Sequence, residues 1–345
     1  MRAIGLAAAL MTLVMAACGE PTAQSPSAPG HTASPSASPK VEATPAPSAV
    51  SSCRLPVYWE VNRPSPPGID LHAGIVSVPD GAVSEVGVLP ELTNAFGATY
   101  DSASNKWLRV DRQLLSPDGT RYVYWAADPA HDEVHVVDIG SRSDRMIYNG
   151  PTLFIPLTFG ADGIYLVHAI NPRQGAFEKL YRLDPAGGTP TLVTGSDRHM
   201  YQWGWVLISD GAAWGVDYNA VGNSYIYSVL RLDLATAQVS QWFEGPPDDL
   251  VWPLGTDTKH RQYVQGVNQH ELWRFVGPGQ AEQLANPGPI GYGDFVGGPT
   301  DFVADSRGGW FHALGSVWFY SDAGEPRQFS VGPPDSDVYP AGPCV

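Results

Sequence analysis

Several groups of side chains in this sequence have the types and spacing that chemistry needs. His131-Asp132-Glu133-Val134-His135 sets two imidazoles four residues apart, the interval at which a helix holds zinc. That motif requires Glu directly after the first His, and Asp132 stands there instead. The segment also runs into the alternating stretch Val134-His135-Val136-Val137, and residues four apart on a strand lie roughly 13 Å from one another. One ion cannot reach both rings, so no metal is expected. Asp248, Asp249 and Asp294 are carboxylates of the kind that glycoside-cleaving enzymes use in pairs, one as acid and one as base or nucleophile. Aromatic side chains accompany them: Tyr201, Trp203, Trp252 and Tyr292 would suit stacking on a sugar or peptide. The competing structural explanation is that these rings pack between elements and that carboxylates meet by chance in so acidic a chain. Gly291-Tyr292-Gly293-Asp294, with Gly297 and Gly298, lacks dinucleotide-binding spacing and reads as a long connection. The sequence contains no nucleophile elbow and no P-loop. His168 and His312 sit in apolar stretches and read as satisfied interior residues.

Two units recur along the chain and must position those residues. One is a turn centred on Asp, seen in Ser116-Pro117-Asp118-Gly119 and again around Asp162, Asp210, Asp257 and Asp305, at intervals of 44, 48, 47 and 48. Asp bonds its own backbone in such turns and Gly accepts positive φ, which is hairpin chemistry. The other is a later hairpin with copies at 75–86, 134–148, 180–193, 229–243, 272–284 and 317–331. Leu180-Tyr181-Arg182-Leu183-Asp184 and Val229-Leu230-Arg231-Leu232-Asp233 alternate apolar with polar, the period of a strand with one buried face. Two hairpins per period of about 46 residues make a four-stranded antiparallel sheet, and six of these suit a β-propeller. Leu115-Ser116-Pro117-Asp118-Gly119-Thr120-Arg121-Tyr122-Val123 resembles the TolB-type propeller repeat, itself related to WD-type repeats. That resemblance implies a fold and no particular activity.

Five Asp turns serve six outer hairpins, so one inner strand is missing from the head of the domain. Leu55-Pro56-Val57-Tyr58-Trp59 reads as a second-position strand, and Asp337-Val338-Tyr339 lies one period after Asp305. The tail is therefore expected to supply the innermost strand of the first sheet, despite Pro340 and Pro343, which cannot donate to a ladder. Cys53 and Cys344, the two thiols of this region, would bridge head to tail.

Residues 1–17 carry Arg2, an apolar run at 3–14 and small residues before Cys18, the make-up of a cleaved secretory signal. Met15-Ala16-Ala17-Cys18 resembles the bacterial lipobox, which implies lipidation at Cys18. Residues 18–52, rich in Pro, Ser, Ala and Thr, cannot bury enough apolar surface to offset ordering entropy and read as a disordered tether. The charge of −15 falls on residues 53–345, because Arg2, Glu20, Lys40 and Glu42 cancel; so acidic a surface repels nucleic acid.

The expectation is a monomeric, extracytoplasmic lipoprotein at the cell envelope: an all-β, six-bladed propeller binding an envelope protein, small ligand or glycan, without catalysis. Only the lipid anchor would touch the membrane. The alternative is a carbohydrate-active hydrolase or lyase with acidic residues at the channel mouth. No cofactor is expected, although a structural cation held by main-chain and Asp oxygens in the channel stays open.

Overall fold

The structure, a computed structural model, describes residues 52–64, 67–92, 97–127, 132–171, 176–200, 203–266, 271–284, 302–321, 326–333 and 335–345. The expected signal, Cys18 and all but the end of the tether lie outside the described residues, as do His131, Tyr201, Tyr292 and Asp294.

Apolar alternation with turn residues at short intervals leaves this chain little choice but antiparallel meanders. The first comprises β1 (Cys53–Pro64), β2 (Pro67–Val78) and β3 (Val83–Val88), with β1 paired to β2 from Cys53 opposite Val78 to Pro64 opposite Pro67. A small hairpin follows, β4 (Thr99–Asp101) with β5 (Lys106–Leu108). β6 (Arg121–Ala127), β7 (Asp132–Asp138) and β8 (Asp144–Gly150) form a three-stranded sheet. Two four-stranded sheets come next, β9 (Phe154–Gly160) to β12 (Thr191–Leu192) through β10 (Gly163–Asn171) and β11 (Ala176–Leu183), then β13 (Gly204–Ser209) to β16 (Val239–Pro247) through β14 (Ala212–Val221) and β15 (Ser224–Asp233). A further one runs from β17 (Val251–Thr256) through β18 (Gln262–Gly266) and β19 (Leu272–Gly277) to β20 (Gln280–Leu284). The last meander is β21 (Phe302–Asp305), β22 (Gly308–Leu314), β23 (Ser316–Ser321) and β24 (Arg327–Ser330).

All six outer hairpins expected from the sequence coincide with paired strands, from β2–β3 to β23–β24. Four of the Asp turns join a first strand to a second, while Asp118 lies beside a single bridge between Leu115 and Tyr122. That last site corrects the expectation of four strands in every repeat. Asp111 accepts the Gln113 N–H at 2.9 Å and caps a 3-10 turn at Arg112–Leu114, so the segment ahead of β6 winds instead of extending. The β4–β5 hairpin was not foreseen, because three-residue strands are too short to show a period.

The tail pairs with the head of the domain and also with β22. β25 (Asp337–Pro340) lies between β1 and β22: Val338, Tyr339 and Pro340 pair with Trp59, Tyr58 and Val57, while Val338 and Asp337 face Ala313 and Leu314. Pro340 does not break the strand, because Ala341 takes over as donor, to the Pro56 carbonyl at 2.9 Å. Arg54 and Val345 then exchange both backbone bonds, and Cys53 is joined to Cys344 with Cα atoms 5.7 Å apart.

The core lies between the faces of successive sheets. Val206, Trp214 and Val216 meet Val251, Val264 and Trp273, and Tyr263 meets Phe302 and Phe311. Trp205 and Trp310, each fully buried, stabilise by roughly 4–6 kcal/mol apiece as an upper bound from area removed from water. Packing is closest at Gly308, where any side chain would collide with the Tyr320 carbonyl across the β22–β23 ladder.

Candidate functional site

Two groups of residues compete for the role of site, at opposite ends of the inner strands. The aromatic and acidic residues singled out in the sequence lie where β13 and β17 begin. Trp203, at φ 64°, precedes Gly204, at φ 60°, and this left-handed pair swings the chain into β13. Its ring meets Trp252 edge-on at 5.6 Å, and both half-buried rings rest on the cluster that includes Leu250, Val251 and Trp273. The two rings thus pack against each other and on that cluster. Asp248 turns the chain at φ 59°; its Oδ1 accepts the Tyr225 N–H at 2.8 Å. Asp249 is fully buried, with Oδ2 beside Gly266 so closely that a side chain there would strike it, and Trp273 nearby. One carboxylate thus shapes a turn and the other is sealed in. Side by side they do not form an acid and base across a cleft.

The remaining histidines are similarly engaged. His135 has Glu133 at 3.0 Å on Nε2 and Asp144 at 2.9 Å on Nδ1, and it stacks on Tyr124. His312, fully buried, lies 3.0 Å from Asp337 and stacks on Tyr339 at 4.1 Å; that contact, above all its hydrogen bond, lowers the Asp337 pKa. His168 is 3.9 Å from Glu178. Among the described residues, no three His, Cys, Asp or Glu side chains are placed to share a metal ion.

At the other end, where inner strands run into their Asp turns, a cavity of ≈ 270 Å³ opens. Its walls come from β13, β17, β21, the stretch after β25 and the capped turn ahead of β6. The polar lining includes Arg112, Gln113, Ser209, Thr256, Asp257 and Thr258. Asp257 is neutralised in place: Arg261 grips its Oδ2 at 2.6 Å and the Lys259 and Arg261 amides bond its Oδ1. Asp111 is buried and occupied by its cap. Arg112 differs. It lines the cavity and is exposed, yet protein surrounds its guanidinium, and burial pulls its pKa below the usual arginine value while Asp111 opposes. It makes no side-chain hydrogen bond or ion pair among the described residues. A positive group here speaks against a structural cation in this cavity.

Bonds between neighbouring turns hold this end together. Ser209 meets Thr256 at 2.8 Å, His260 meets Asp210 at 2.8 Å, Thr258 reaches the Asp305 carbonyl, and Arg307 donates to the Cys344 carbonyl at 2.8 Å. Sequence reasoning missed these residues as a site. The one signal was position: Ser209, Thr256 and Thr258 each adjoin an Asp turn, and Arg112 occupies the segment before Asp118.

No protein-family model matches the chain, and no curated protein matches it. Solved structures do superpose on it, and they are β-propeller proteins. Against the β-propeller domain of the Trilobed protease from Pyrococcus furiosus the identity is 11%, covering 82% of each chain, with TM-score 0.44. Catalytically inactive virginiamycin B lyase from Staphylococcus aureus with quinupristin gives 10%, 83% of this chain and 94% of that one, at 0.46. TolB from Acinetobacter baumannii gives 14%, 79% and 65%, at 0.34. The chain spans 45% of an acylaminoacyl peptidase it also matches.

Proposed function

We propose that this chain is an exported lipoprotein, anchored through Cys18 and tethered by residues 19–52, whose domain at 53–345 is a six-bladed propeller binding a small ligand without catalysis. The ring counts the meanders headed by β1, β6, β9, β13, β17 and β21 as blades. It is closed by β25 and by the disulfide. The observation that carries the binding function is the cavity of ≈ 270 Å³ where inner strands of separate sheets converge. A convergence of rigid strands makes a preformed pocket, with little ordering cost on binding. The hydrolase or lyase alternative needs two carboxylates facing one substrate, and Asp248 and Asp249 are committed to a turn and to the core.

The full-length protein, extracted in detergent from the envelope, supplies the test. Mass spectrometry after denaturation is expected to release a stoichiometric small molecule and to find acyl chains on Cys18. Sugar cleavage by the purified protein, or a protein partner retained with the cavity emptied of small molecules, would overturn the binding proposal; an unmodified Cys18 would overturn the anchor.

A further inference from the structure

The hydrogen-bond polarity of the cavity wall identifies a class of ligand. Gln262, fully buried, donates from Nε2 to the Tyr263 carbonyl at 2.8 Å, which fixes its amide and leaves Oε1 as an acceptor. Thr256 Oγ1 therefore spends its single proton on Gln262 Oε1, at 3.0 Å. Ser209 Oγ, 2.8 Å from Thr256 Oγ1, must then be the donor of that pair. A hydroxyl whose proton is spent offers only lone pairs. Ser209 thus lines the cavity as an acceptor, whereas Arg112 lines it with a charged fork of donors that makes no side-chain hydrogen bond or ion pair among the described residues.

We propose that the cavity takes a small organic carboxylate that also carries hydroxyl donors, its carboxylate on Arg112 and a hydroxyl donating to Ser209 Oγ. This inference rests on the small-ligand function proposed above and adds the chemistry. The volume of ≈ 270 Å³ has room for about nine waters at their liquid spacing, which suits a ligand of monosaccharide size. The chain's net charge of −15 repels anions at a distance, but salt screens that field within about 8–10 Å, so Arg112 dominates inside the cavity. Asp257 does not cancel it, being paired with Arg261. Asp111, whose Oδ1 already accepts an amide, opposes an anion there.

The test titrates full-length protein in detergent with three probes by calorimetry: D-glucuronate, which has both features; D-glucose, which has hydroxyls alone; and cyclohexanecarboxylate, which has charge alone. D-glucuronate is expected to bind at least about tenfold more tightly than either control. Arg112→Gln should remove that advantage over glucose without changing the melting temperature. Ser209→Ala should weaken glucuronate and glucose severalfold and leave cyclohexanecarboxylate unchanged. Should Arg112→Gln fail to fold, Arg112→Lys, which keeps the charge but loses the fork, is expected to show an intermediate loss. Equal binding of glucose and glucuronate, insensitive to Arg112→Gln, overturns the anion assignment and leaves the small-ligand function standing. Failure of all three probes also overturns the assignment, while the molecule released from native protein judges the broader function separately.

Discussion

The two ends of this domain's inner-strand set meet the same structural demand in opposite ways. At the seam, β25 saturates the edge of β1: three residue pairs, the Ala341 and Val345 bonds, the His312–Asp337 contact and a disulfide all hold it. Ahead of β6 the corresponding segment gives up its ladder, keeping one bridge from Leu115 to Tyr122 and a 3-10 turn capped by Asp111. The seam saturates its polar groups in support of stability. That segment holds Arg112 in a 3-10 turn, outside any strand ladder, and on the cavity lining.

The comparison can be broken most severely at the disulfide. For a loop of 291 residues the chain-entropy model gives about 5–6 kcal/mol, so Cys53→Ser with Cys344→Ser should lower the urea midpoint sharply; an unchanged midpoint would mean that the ladder alone holds the tail. Next comes Asp305, buried, whose Oδ2 accepts from Trp310 Nε1, Arg307 and the Cys344 N–H. Asp305→Ala removes the acceptor of these three donors and of the Arg307 N–H on Oδ1, and should cost about 3 kcal/mol, measured by equilibrium unfolding.

Acid sharpens the contrast at a smaller scale. The Asp337 pKa is lowered first by its hydrogen bond with His312, and that of Asp118 is lowered to about 2 by the Ser116 hydroxyl and by Thr120. Carboxylates depressed on folding add stability that is full above their unfolded value near 4 and disappears as pH falls through the folded one. Stability should therefore drop between about pH 4 and 2. Asp337→Asn should cost at most about 1 kcal/mol at neutral pH, with the difference vanishing in acid. Carbon-detected NMR should place the Asp118 titration at about 2; a value near 4 would show that the turn does not hold its proton-free form. The smallest effect is expected at Arg112→Gln, within about 0.5 kcal/mol of wild type in thermal unfolding, because the side chain makes no hydrogen bond or ion pair among the described residues.

The strands, their pairing order and the head-to-tail bridge were legible because they rest on local signals. Period-two alternation marks β11 and β15, Asp turns mark the first hairpins, and Cys53 and Cys344 are the two cysteines of residues 53–345, one at each end. The choice of candidate residues fared differently. Trp203, Trp252, Asp248 and Asp249 have the right types for a site, but whether a Trp stacks on a ligand or on another Trp depends on which sheet packs behind it. Tyr201, Tyr292 and Asp294 lie outside the described residues.

By itself, then, the amino-acid sequence determined an all-β chain of antiparallel meanders with its tail returned to its head, since hydrophobic period and turn chemistry act over a few residues. The tertiary structure alone decided that Arg112, Ser209 and Thr256 line one cavity and that Asp248 and Asp249 are taken up by a turn and by the core. The cavity residues stand up to 144 positions apart, and no local pattern records which strand ends converge.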